Sequence, residues 1–348
     1  MDKDLEKKVF HNLCWTVYLH PYTFVVPDNE EPWEVNLKDI NNISYNNGNL
    51  VKIVSSFKIP NCETVGFICY DGAISIPRLK PFMSIENAEI FFNTFLAKLL
   101  LKDFYVEGID VRDIVNAQLL ENWAIWNSGF GSSLNSQLHT KVRMKLTSNM
   151  ETIHLANPRI LRVSEINSML VEGEKVFNKI PNLTPKFLTN GITEIHYKNW
   201  DLALSNLWIT AEQIIDHLWH TKFIADINYH PTKNISGRKD SFKEDNRTWS
   251  TSVKQEMLYQ SKIINADIFE SLFDARKARN KLVHEGKSVN ESVAIRLFGS
   301  IKGLIELATN ESNLLNTVAI DEKKQLDKAT QIDIDFFSDW IETGKKFI

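Results

Sequence analysis

The chain has 348 residues, 43% of them hydrophobic, and a formal net charge of -4 at pH 7. That length and apolar content suffice for two packed cores. The acidic balance excludes a uniformly basic nucleic-acid coat, so any RNA contact must be a local basic patch.

Three scattered cysteines, Cys14, Cys62 and Cys69, lack metal-ligand spacing and are expected as buried thiols in a reducing cytoplasm. No stretch approaches an uninterrupted membrane span, and the charged start Met1-Asp2-Lys3-Asp4-Leu5-Glu6 has no signal-peptide pattern. The expected setting is therefore cytoplasmic, with no membrane contact, no cofactor and no metal.

From about Val9 to Pro77 the chain reads as β-rich. Cys14–Leu19, Tyr22–Val26, Leu50–Ile59 and Val65–Tyr70 carry the β-branched and aromatic residues of strands. Asn47-Gly48 and Asp71-Gly72 are hairpin signals between them. A helix is predicted after Ser84, with Phe91, Phe92, Phe95, Leu96, Leu99 and Leu100 on a broad apolar face. A second helical stretch is predicted over Val111–Trp126. Asn127-Ser128-Gly129-Phe130-Gly131-Ser132-Ser133 is a loop: it lacks the Gly-Lys-Ser/Thr ending of a phosphate-cradling turn. Gln137–Leu146 reads as one more strand, with Lys141, Arg143 and Lys145 on a solvated face.

Helical spacing dominates from Arg162. One long amphipathic helix is predicted over Thr193–His220, its apolar face made by Leu204, Leu207, Trp208, Ala211, Ile214, Ile215 and Leu218. Glu212 borders that face, as a flank residue or as the partner of an inward-facing cation. Asp216, His217 and His220 cluster near the helix end, where capping and surface chemistry outweigh a metal pair. Asn228–Asn246 is polar and reads as a loop, solvated or a basic arm. Helices follow over Thr251–Ile264, Asp267–Glu285 and from the Ser288/Glu291 capping box to about Ala308, with turns short enough for antiparallel packing. The tail from Asp321 is charged and then offers Ile334, Phe336, Phe337, Trp340 and Ile341 as a docking segment.

The Asp267–Glu285 helix carries the chain's most distinctive stretch, Ala275-Arg276-Lys277-Ala278-Arg279-Asn280-Lys281-Leu282-Val283-His284-Glu285-Gly286. Asp267 and Glu270 have capping-box spacing and Gly286 is a left-handed C-cap. Arg279 falls on the line of Leu272, Ala275 and Leu282, where a guanidinium must be paired or used. His284 sits where the last-turn carbonyls favour an imidazolium. Arg279 and His284 are five residues apart, about 140° around the helix, so one straight helix does not aim both at one target. A solvated cationic helix end, with Arg276, Lys277 and Lys281 in water, is the alternative.

Arg279-Asn280-x-x-x-His284, ending a helix within a run of helices, resembles the R-[N/H/D]-x-x-x-H signature of HEPN domains, many of which are metal-independent RNases. The helix around Glu212 resembles the first helix of ApeA-like HEPN domains, where an acidic residue lies within the apolar pattern. Phe91–Ile109 is similar to N-terminal parts of bacterial HEPN defence proteins. The resemblance implies an α+β chain: an N-terminal β-rich α/β sensor or regulatory domain over residues 1–150, an all-α HEPN bundle over 165–315 and a C-terminal tail over 316–348. It implies an endoribonuclease in which the RNA 2′-hydroxyl attacks the adjacent phosphate, leaving a 2′,3′-cyclic phosphate and a 5′-hydroxyl. Arg279 would stabilise phosphate charge, His284 would serve as general acid or base, and Asn280 would orient His284 or bind the phosphate. Glu212 would hold Arg279, and Arg276, Lys277 and Lys281 would bind RNA. The expected partners are RNA, a second copy of the chain and a phage-derived activator, in an abortive-infection or toxin role. A non-catalytic HEPN-like nucleotide- or protein-binding module is the competing reading. A toxin subfamily has a modified tyrosine two places after the histidine; here that place is Gly286, so the resemblance does not extend to that route of regulation.

Overall fold

The computed structural model describes residues 12–60, 62–120, 123–225, 245, 248–316 and 345. Strands β1 (Leu13–Tyr18) and β2 (Thr23–Val26) form where expected, and nearly every residue in them is buried. Burial of consecutive residues means that both faces of these strands are covered. Two short helices follow, α1 (Leu37–Asn41) and α2 (Asn47–Val51), capped by the side chains of Asn36 and Asn46. Asn47-Gly48 therefore opens a helix rather than turning a hairpin, because Asn46 accepts the Gly48 N–H. Leu50 and Val51 belong to that helix, and β3 (Ile53–Lys58) starts later than the apolar run indicates.

Strands β4 (Val65–Cys69) and β5 (Ala73–Pro77) are joined at Asp71-Gly72, as that signal predicts. Gly72 has φ +75, and a Cβ there would lie 2.6 Å from the Thr23 carbonyl oxygen. Helix α3 (Ile85–Leu101) begins at the Ser84 cap. The predicted Val111–Trp126 helix is instead a hairpin of β6 (Val115–Leu120) and β7 (Ala124–Asn127). The free edge of β1 decides this: Leu13–Thr16 pair antiparallel with Gln118–Val115, and tertiary pairing overrides local spacing. The predicted strand at Gln137–Leu146 is corrected in the opposite direction. Helix α4 (Leu134–Met144) starts at the Ser133 cap and ends at Lys145 in the left-handed region. The short helix α5 (Asn149–Thr152) leads to β8 (Arg159–Arg162), which pairs parallel with β2.

Helix α6 (Val163–Lys179) opens the helical half. The single helix predicted over Thr193–His220 is two, α7 (Pro185–His196) and α8 (Trp200–Leu218), followed by a π-turn over Trp219–Phe223. The chain reverses through Lys198 at φ 58. Reversal lets both apolar faces meet: a Cβ on Gly191 would lie 2.5 Å from a Leu207 methyl, so only glycine permits this approach. Helices α9 (Thr251–Gln260), α10 (Ala266–Glu285) and α11 (Glu291–Thr309) follow. Their caps differ from the boxes read in the sequence. Asn265, not Asp267, caps α10 by accepting from Ile268 N–H, and Asn290, not Ser288, caps α11. Helix α8 is the hub, packing on α7, α9, α10 and α11.

The main sheet is antiparallel, in the order β3-β4-β5-β1-β6-β7. It curls until its edges meet, where Lys52 bridges Ala124 and Ile53 N–H donates to the Trp123 carbonyl. Inside the curl a guanidinium is fully buried: Arg143 of α4 donates to both carboxylate oxygens of Asp71, at 2.6 and 2.5 Å. The sequence placed this arginine on a solvated face.

The described residues up to Asn316 belong to one compact unit. The aromatic tail and the basic loop over 228–244 lie outside the described residues. Among the described residues, no helix is long and apolar enough to cross a membrane.

Candidate functional site

Helix α10 is held by its first half alone. Ser271, Leu272 and Ala275 are its buried residues, and beyond Ala275 every side chain is half-buried or exposed. Arg279, Asn280, Lys281, Val283 and His284 are exposed. The Leu272–Ala275–Leu282 line therefore does not carry Arg279 into the core: Arg279 is exposed, with Ala278 and Leu282 only half-buried on either side of it. Arg279, Asn280, Lys281 and His284 form no ion pair or side-chain hydrogen bond among the described residues. Arg276 lies over the Phe273 ring at 5.5 Å. Gly286 closes the helix at φ 65, donating to the Leu282 carbonyl, while Lys287 donates to that of Lys281.

The expected carboxylate partner lies elsewhere. Glu212 is half-buried on α8 and accepts from Thr251 Oγ1 at 3.2 Å, tying α8 to the first residue of α9. It does not pair with Arg279. Asp216 is engaged by the buried Lys254 of α9, and its carbonyl is 2.7 Å from His220 Nδ1. Among the described residues, no three His, Cys, Asp or Glu side chains are grouped to hold a metal ion.

The exposed half of α10 is thus a local basic patch on an acidic chain: Arg276, Lys277, Arg279 and Lys281 against Glu285, which pairs with Lys287. Its apolar members are Val283, exposed, and Leu282, half-buried. A guanidinium can take a phosphate in two parallel hydrogen bonds. An imidazole can move a proton near neutral pH. Within one chain the two groups diverge around the helix. One straight helix does not aim both at one small target.

A second group of ionisable residues was not legible in the sequence. It joins the sheet to the helices. Glu107 accepts from Tyr197 Oη at 2.6 Å and from Asn135 at 3.3 Å, and lies 3.6 Å from His20 Nε2. Burial raises the Glu107 carboxyl above its usual range and lowers His20 to about 4. The His139 ring is stacked between Tyr18 and Tyr22, at 4.2 and 4.5 Å, with neither nitrogen hydrogen-bonded. These residues come from four separate segments, and no local spacing announces their meeting.

No protein-family model, no curated protein and no solved structure matches this chain.

Proposed function

We propose that the chain is a metal-independent endoribonuclease of the HEPN type, acting as a homodimer in an abortive-infection or toxin role. One observation carries the reading. Arg279, Asn280 and His284 occupy the last two turns of α10, exposed and without side-chain partners among the described residues. Structural guanidinium groups are normally paired or laid along apolar surface, so an unengaged one in the same two turns as an exposed imidazole supports a role toward an external phosphate. In this reading Arg279 binds the scissile phosphate and its developing charge, and His284 of the facing copy transfers the proton. Asn280 orients the phosphate or the imidazole, and Arg276, Lys277 and Lys281 hold flanking phosphates. Glu212 acts indirectly, by fixing α8 against α9.

Incubating the purified full chain with RNA in excess EDTA tests the activity. Cleavage should leave 2′,3′-cyclic phosphate ends, and Arg279→Ala or His284→Ala should each slow it by at least about 100-fold. Asn280→Ala should slow it less. Equal cleavage by wild type and His284→Ala sinks the proposal and leaves the patch as a docking face of a binding module. Light scattering at micromolar concentration should give a dimer; a monomer cleaving at full rate would rule out the shared site.

A further inference from the structure

Beside the open end of β3, helices α3 and α6 leave an apolar cleft of about 840 Å³. Phe57, Phe91, Phe95 and Leu170 line it, and Ile90 and Val171 stand at its mouth, 60% and 64% exposed. The walls are fixed by close contacts. The Phe57 ring fills the space over Gly66, where a Cβ would lie 2.1 Å from it. The same ring meets Phe91 at 6.1 Å and Phe95 at 5.0 Å between centroids. Helices α3 and α6 touch at Gly173, where a Cβ would lie 2.7 Å from Lys98 Cα. Lys98–Glu174 and Lys102–Glu172 ion pairs clamp that crossing. The cleft is therefore a built recess beside a rigid contact.

Its charge is one-sided. The ionisable lining residues are Lys58, Lys98 and Glu174. The last two pair with each other. Lys58 is exposed and has no ion pair among the described residues, so an apolar hollow carries one uncompensated cation. Small-ligand pockets span about 300–1000 Å³, a range that includes this cleft.

We infer that this cleft binds an amphipathic monoanion: an acyl body of the fatty-carboxylate class against Phe57, Phe91 and Leu170, with its head at Lys58. The inference is independent of the ribonuclease reading, because its test measures binding alone. The full chain is titrated by calorimetry with decanoate and, separately, decylamine, below their micellar concentrations. Decanoate should bind at one saturable site and more tightly than decylamine. Lys58→Glu should weaken decanoate about five- to tenfold without weakening decylamine. Ile90→Asp, at an exposed position that leaves the core intact, should abolish decanoate binding. No saturable binding, equal affinity for the two head groups, or decanoate binding unchanged in both variants overturns the inference. A wild-type dimer that Ile90→Asp converts to monomer also overturns it, by making a second copy the occupant.

Discussion

His139 sits in an environment far from what water would offer. Its ring is fully buried between two tyrosine rings, and both nitrogens are unsatisfied. Burial first, then His20, Arg143 and His154 nearby, push its pKa well down. Burial likewise lowers His20 to about 4, with His154, Arg159 and His196 acting in the same direction and Asp113 against it. Both histidines take up protons in the unfolded chain at a higher pH than in the folded one. Their contribution to stability is therefore complete above about pH 6.5 and is lost as pH falls toward 4. The raised Glu107 works in the opposite sense as its proton comes off. Thermal unfolding should show Tm falling from pH 6.5 to 4. His139→Phe, similar in shape and without ring nitrogens, should raise Tm at pH 7 and flatten that acid limb. A lowered Tm would show that the imidazole has a partner of its own. At this scale the sequence was least legible. Arg143 looked solvated because alternation with Lys141 and Lys145 suits a strand, and its Asp71 partner is 72 residues away. Removing that partner by Asp71→Ala should cost about 3–5 kcal/mol in chemical denaturation, since it leaves a guanidinium uncompensated.

Among the elements, those set by local chemistry were readable. Strand β1 follows from its β-branched and aromatic run, α3 from Ser84 and its aromatic face, and α10 from its motif and its terminal glycine. Those set by partners were not. The β6–β7 hairpin exists because β1 has an edge to fill, and α7 and α8 divide because Gly191 can seat Leu207. The candidate helix was legible in composition and place, but the exposure of its second half was not, because the apolar spacing continues through Leu282 while full burial ends at Ala275. That exposure makes the end of α10 depend on its cap. Gly286→Ala forces an L-residue into φ 65 with nothing within 4 Å to clash, so the loss is backbone strain alone. It should cost about 1 kcal/mol and fray the turn bearing His284. Hydrogen exchange of the amides over 282–286 should quicken while those over 268–275 stay unchanged.

The whole molecule bears on whether the first half is a detachable sensor. Helix α3 precedes the helical half in sequence, yet it packs on α6 and α7. Phe92, Phe95, Leu96, Leu99 and Leu100 are all buried. Polar contacts run across the same boundary: Lys186 to Glu89 at 2.5 Å, Thr189 Oγ1 to Asn93 Oδ1 at 3.1 Å, and Gly108 N–H to Thr193 Oγ1 at 2.8 Å. Leu315 N–H returns to the Leu101 carbonyl. Cutting the chain before Val163 removes α3 and strips these faces. Each large apolar side chain uncovered on α6 and α7 costs roughly 1.5–3 kcal/mol, against a typical net domain stability of about 5–15 kcal/mol. The fragment Val163–Asn316 should therefore show no cooperative thermal transition by circular dichroism and should bind a hydrophobic dye strongly. Any gain or loss of function in that fragment would then report unfolding, not release from inhibition. If the α10 patch acts as proposed, its control is expected from ligands or partners that shift the intact unit between arrangements. A fragment that unfolds cooperatively within a few degrees of the full chain would refute this and restore the separable sensor.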